Sequence, residues 1–242
     1  MRTFIETLEN DYLTVQKVAE QSYGELLENA WSIADGVDLG DYTYPTFSLL
    51  EDLREHDEDA AIGGLRTLPI ALEIAEETDR VTNSCTDKRW QFITALLHDI
   101  GKVSLPKQLL QKSSRGEEWT AQDMEATRPH AESGGKILFA NGFPEVVCRA
   151  VAGHHSKQLG SNEYGLDLLI SDEARIYRDC TAVADFVEAS ENRINSRNKD
   201  LSVEQRHQYE IDDIAYVYDD YEQKNLIIEK VIIRTLGQSA LI

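Results

Sequence analysis

Apolar residues along this chain recur at intervals of three and four, and no stretch keeps the two-residue alternation of a strand. The pattern predicts an all-α protein. Amphipathic helices are expected over 2–22, 24–34, 46–54, 59–78, 120–140, 145–155, 171–194, 202–222 and 224–236. The segment from Trp90 to His98 carries Phe92, Ile93, Ala95, Leu96 and Leu97 and predicts a buried helix that stops at Gly101. Thr120 and Asp123 form a capping-box-like start. Gly142-Phe143-Pro144 breaks the helix that follows, Ser171 is placed as a cap, and loops are expected over 35–45 and 156–170. No repeat, low-complexity tract or linker interrupts the chain. The organisation reads as a central helical domain over 51–200, an N-terminal helical extension over 1–50 and C-terminal helices over 201–242.

Composition narrows the function classes. With 242 residues and 41% hydrophobic content the chain can bury a sizeable core. Cys85, Cys148 and Cys180 are an odd set without C-x-x-C spacing, which fits a reducing compartment rather than a disulfide framework. The N-terminal residues are too polar for a signal peptide, and no apolar run approaches the ~18 residues of a membrane span, so the expectation is a cytoplasmic protein with no membrane partner. The net charge of −20 disfavours nucleic acid as the main partner. That charge is uneven: residues 101–160 sum to +2 and the remainder to −22. The non-acidic segment suits the approach of an anionic small molecule.

The same segment holds most of the candidate chemistry. His98-Asp99, His130, His154-His155 and Asp185 supply six potential metal ligands within 88 residues, and they include four of the six histidines. Neutral imidazole with ionised carboxylate suits divalent iron, manganese, zinc and similar ions. Thr127, His130, Gly134 and Ile137 share a helical face, as do Val147, Val151 and His154. Asp185 lies off the apolar arc of Cys180, Val183 and Val187, so periodicity leaves it either deep between helices or solvated. Taken singly, each residue has a plainer role: His130 as a core histidine, His154-His155 as partners of a helix C-terminus. Their joint arrangement is what points to a metal. Arg193, His207, Cys180 and the run Asp219-Asp220-Tyr221-Glu222 read as surface or packing residues.

The segment His98-Asp99-Ile100-Gly101-Lys102-Val103, with Pro106, Leu110, Lys112, Thr120, His130, Gly134 and Ile137-Leu138, resembles the HD-domain metal-dependent phosphohydrolases. His154-His155, Ala174-Arg175-Ile176 and Val183-Ala184-Asp185 are similar to the HD-GYP subgroup. The resemblance spans roughly 57–194. It implies an HD-domain helical bundle with one or two divalent transition-metal ions, iron, manganese or similar. It also implies that Asp99 bridges two metal positions. His98 and Asp185 complete one, and His130, His154 and His155 complete the other. Lys102 then reaches a substrate phosphate. The activity implied is hydrolysis of a nucleotide or cyclic-dinucleotide phosphoester by a metal-activated hydroxide.

The chain departs from that pattern twice. The early histidine of the first metal position falls on Gly63, with Asp59 and His56 as candidate replacements. The glycine-tyrosine-proline loop is matched by Leu159-Gly160-Ser161-Asn162-Glu163-Tyr164-Gly165, without proline, a departure that speaks against cyclic di-GMP specificity. Two functions therefore stand: a phosphohydrolase, or a catalytically degenerate signalling module that binds a ligand or partner. The helical segments outside 57–194 are candidates for homodimerisation or docking.

Overall fold

The computed structural model describes residues 22–83, 85–112, 117–156 and 172–192. Among these the chain is helical and contains no strand. The elements are α1 (Tyr23–Val37), a 3-10 turn (Gly40–Tyr42), α2 (Thr43–His56), α3 (Glu58–Thr82), α4 (Lys88–Leu97), a second 3-10 turn (Ile100–Ser104), α5 (Lys107–Leu110), α6 (Ala121–Thr127), α7 (His130–Ala140), α8 (Glu145–Ala152) and α9 (Asp172–Asn192). None is long and apolar enough to cross a membrane. The helix expected over 2–22, apart from its last residue, the helices expected over 202–222 and 224–236, and the cap at Ser171 lie outside the described residues.

The bundle is built around α4. Every residue from Gln91 to Leu97 is fully buried, so beyond its exposed first turn this helix has no solvent face. Burying Phe92, Ile93, Leu96 and Leu97 contributes about 1.5–3 kcal/mol each. Asp87 caps α4 by accepting from the Arg89 amide. Helices α3, α8 and α9 pack against it, and α9 also lies along α3. Polar pairs fix the α4–α9 register: Gln91 Nε2 donates to Thr181 Oγ1 at 3.0 Å, and the Asp87 amide donates to the Tyr177 hydroxyl at 3.2 Å.

Three expectations change. The loop over 35–45 is mostly helical, because Pro45 falls in the first turn of α2, where its missing N–H has no intrahelical partner to lose. The helix expected over 120–140 is two, since Pro129 cannot continue α6 and starts α7 instead. Helix α4 ends at Leu97 and not at Gly101. Gly101 lies in the second 3-10 turn, where a Cβ would sit 1.8 Å from the His130 carbonyl oxygen and 2.5 Å from the Gly134 amide nitrogen. Only a residue without a side chain lets that turn press on the start of α7.

Gly64 makes the same kind of contact between α3 and α4: a Cβ there would lie 2.4 Å from the Leu96 carbonyl oxygen, backbone that cannot step aside. Gly64→Ala is expected to destabilise the protein by about 1–3 kcal/mol in urea unfolding. Gly36→Ala, in α1 with nothing within 4 Å, should be neutral or stabilising by up to about 1 kcal/mol. Equal midpoints for the two variants would contradict the α3–α4 contact.

Candidate metal centre

Four segments deliver the donors. His98 and Asp99 follow the last turn of α4, His130 opens α7, and His154 and His155 lie in the turn after α8. Asp185 projects from the middle of α9 and is buried rather than solvated. All six side chains are buried. One donor atom each from Asp99, His130, His154 and His155 lies within 4.8 Å of the other three. Donors on opposite sides of one ion, bonded at about 2.1 Å, stand about 4.2 Å apart, so the cluster has the span of a single coordination sphere.

The backbone sets the histidine tautomers. Nδ1 of His98 donates to the Ala95 carbonyl at 2.8 Å, that of His130 to Thr127 at 2.7 Å, and that of His154 to Val151 at 2.7 Å. A carbonyl can only accept, so each Nδ1 carries a proton and a neutral ring presents Nε2 as a lone pair. Nε2 of His154 is buried and has no hydrogen-bond partner. Nε2 of His130 lies 3.2 Å from Nε2 of His155 and 3.1 Å from Asp99 Oδ1. Burial and the neighbouring histidines hold His154 well below its usual range, and burial with His130 brings His155 down to about 3. Neutral imidazoles converging on a carboxylate, one with an orphaned lone pair, fit a divalent cation.

Asp99 divides its two oxygens. Oδ1 faces His130, while Oδ2 accepts from Lys102 Nζ at 2.6 Å and lies 3.6 Å from His98 Nε2. Burial pushes this carboxyl up, but Lys102, His98 and His130 outweigh it and hold it well below the usual carboxylate range. His98 Nε2 also lies 3.4 Å from Asp185 Oδ1. Burial disfavours its charge, yet Asp99 and Asp185 prevail and raise it to about 9.

The two candidate replacements for the missing ligand are elsewhere. His56 Nε2 is 2.8 Å from the Leu105 carbonyl oxygen, and Asp59 is exposed. Sequence reasoning missed several charged residues near the centre. Asp57, the N-cap of α3, feels the charges of both Lys102 and Asp99, and burial raises its carboxyl. Arg178, 1% exposed, donates to Asp179 Oδ1 at 2.6 Å and to Ser156 Oγ at 3.3 Å, tying the double-histidine turn to α9. Arg66 Nη1 is 3.7 Å from Glu188 Oε1 across α3 and α9. The signal available for these was spacing alone: Arg178, Thr181, Asp185 and Glu188 recur every three or four residues.

The profile of the HD domain matches residues 49–203, well over half the chain. The chain belongs to the HD domain family. No curated protein matches it. Two solved structures are similar to this HD domain in fold. One is the Listeria (L. monocytogenes) phosphodiesterase PgpH HD domain, at 17% identity and a TM-score of 0.48, covering 78% of this chain and 95% of that one. The other is the same PgpH domain in complex with cyclic-di-AMP, at 18% identity and a TM-score of 0.49, covering 78% and 94%.

The opposed shifts of His98 and His155 predict a stability optimum for the metal-free HD domain. An unfolded histidine titrates near pH ~6.5. His98 is raised when folded, so its contribution is complete below about 6.5 and is lost as the pH climbs to about 9. His155 is depressed, so protonating it costs stability as the pH falls from about 6.5 toward about 3. Thermal melts of chelator-treated protein between about pH 5 and about pH 9 should peak near neutrality. A midpoint rising steadily to the alkaline end would contradict the His98 environment.

Proposed function

We propose that this HD domain is a metal-dependent phosphohydrolase acting on a phosphoester, with nucleotide and cyclic-dinucleotide phosphodiesters as the substrate class. The observation that carries the reading is the buried convergence of Asp99, His130, His154 and His155, with the Lys102 ammonium on the same carboxylate. In this reading residues 51–200 are the metal-binding unit, and 1–50 and 201–242 are helical additions. The finer HD-GYP assignment rests on His154-His155 and the segment ending in Asp185; the loop Leu159–Gly165 lies outside the described residues.

The four donors would hold a divalent transition metal, iron, manganese or similar. When bound, such an ion supplies Lewis acidity, bringing the pKa of a water toward neutrality and offsetting phosphoryl charge. The residues themselves do the positioning. The carbonyls of Thr127 and Val151 fix the rings of His130 and His154 before any ion arrives. Lys102, 18% exposed, places a positive charge at the edge of the buried cluster, where a phosphoryl group gaining negative charge in the transition state would meet it. The Asp99 carboxylate holds that ammonium in place. The near-neutral balance of residues 101–160 in an otherwise acidic chain favours approach of an anionic substrate on this side.

A second reading, a ligand-binding module without turnover, is favoured by Gly63, which brings no donor to the first metal position. The two separate on one assay: hydrolysis of a panel of nucleotides and cyclic dinucleotides with manganese or iron supplied. The phosphohydrolase is expected to turn over at least one of them, and Asp99→Ala should abolish that activity. Lys102→Met should lower kcat by about 10²–10³-fold. His130→Ala combined with His154→Ala should abolish metal retention, measured by elemental analysis. An ion that survives the double substitution would overturn the site assignment; ligand binding without turnover under every metal condition would establish the second reading.

A further inference from the structure

Resting on the metal-dependent reading above, we infer that Arg178 is a positioning residue for His155. It acts through Ser156, and the bond between the two sets how tightly the centre holds a divalent ion.

Successive residues of a helix point about 100° apart, so a helix cannot aim two neighbouring side chains at one place. Helix α8 ends at Ala152, and Gly153 has left helical geometry, with φ −106° and ψ 1°. The two histidines follow in a turn, with ring centroids 3.9 Å apart, and both reach the donor cluster. Leaving the helix weakens what holds the main chain there. The His154 amide meets the Val151 carbonyl only at 3.4 Å, and the Ser156 amide meets the Gly153 carbonyl at 2.8 Å. Both bonds close within the turn itself. His154 is aimed by the Val151 carbonyl, as described above. His155 has its Nε2 against that of His130 at 3.2 Å, and its bearing depends on where the turn sits.

Helix α9 fixes that place. Arg178 Nη1 donates to Ser156 Oγ at 3.3 Å, while Nε and Nη2 each lie 2.6 Å from Asp179 Oδ1. All three residues are buried, Arg178 and Asp179 at 1% exposure. A planar guanidinium held at two nitrogens by one carboxylate has little freedom, and a hydrogen bond from a charged donor is stronger than a neutral one. Ser156 is therefore bonded to an anchor that does not move. Arg178 and Asp185 are seven residues apart and share a face of α9. That face reaches the centre twice: Asp185 meets His98, and Arg178 holds the residue next to His155. Groups that orient a ligand from outside the donor set commonly change metal affinity by about 10–100-fold when lost.

The test is Co²⁺ affinity of the full chain, stripped with chelator and titrated in competition with a chromophoric chelator. Ser156→Ala, which removes one oxygen, is expected to weaken Co²⁺ by about 10–100-fold and to shift its d–d absorption. Arg178→Met combined with Asp179→Asn withdraws the cation without leaving a charge unpaired. It should lower the affinity as much, and adding Ser156→Ala to it should lower it no further. Thr181→Val removes another buried hydroxyl bond of α9, the one with Gln91. It should lower the thermal midpoint of the metal-free protein and change Co²⁺ affinity less than about threefold, because Thr181 orients no donor. Unchanged affinity in Ser156→Ala, or an equal loss in Thr181→Val, would overturn the inference and leave the metal-dependent reading standing. A wild-type chain that binds no Co²⁺ would overturn both. Should the Arg178 variant not fold, Ser156→Ala measured against Thr181→Val decides the question.

Discussion

A carboxylate buried just past the end of α4, the helix around which the bundle is built, is the constraint on which the rest of this structure depends. Asp99 has to be ionised to be useful, and an ionised group out of water is tolerated only when it is paired. Its partners come from separate parts of the chain: Lys102 from the turn that follows it, His130 from α7, and His98 beside it. Helices α7 and α8 are therefore not free to dock wherever their apolar faces fit. They must dock where their polar residues meet this charge. The glycines at the contact follow from that need. Gly101 lets the turn after Asp99 touch the backbone of α7, and Gly135 lets α7 approach α8 so closely that a Cβ would meet the Cys148 carbonyl oxygen at 2.6 Å.

The charged residues missed from sequence form an outer layer with its own logic. Arg178 and Asp179 neutralise each other inside the bundle while the guanidinium reaches Ser156, the residue after the double histidine. Arg66 and Glu188 do the same between α3 and α9. Removing one partner of a buried pair commonly costs about 3–5 kcal/mol, so these pairs resist piecemeal loss even where an apolar pair would be as stable. They hold α9 in one rotation about its axis, and that rotation aims Asp185 at His98.

The all-α class and the inner cluster were legible because both depend on local, rare features. Period-three and period-four spacing recurs throughout, and histidine is scarce enough that His98, His130, His154 and His155 stand out. Asp185 was not resolvable between buried and solvated, for a physical reason. Helix α9 buries Arg178, Asp179, Thr181, Asp185 and Glu188 as well as Tyr177, Cys180 and Val183. A helix packed on its polar and its apolar sides has no amphipathic stripe to read. The break between α6 and α7 is marked by Pro129, but the face shared by Thr127 and His130 runs through it and masks it. That relation survives as the hydrogen bond from His130 to the Thr127 carbonyl. The role of Gly101 depends on a contact with residues some thirty positions away, which no local pattern encodes.

The hydrogen bonds that orient His98, His130 and His154 all run to the carbonyl three residues earlier, Ala95, Thr127 and Val151. Each ring is thus aimed by its own stretch of main chain and not by a neighbouring side chain. A ligand of this kind is a self-contained four-residue cassette whose orienting partner has no identity to mutate. Residues around the cassette can drift without turning the imidazole, and the cassette can be transplanted to another helix end with its aim intact. The sequence surrounding such a centre is then free to diverge far, down to the point where only the spacing of the histidines still marks the fold.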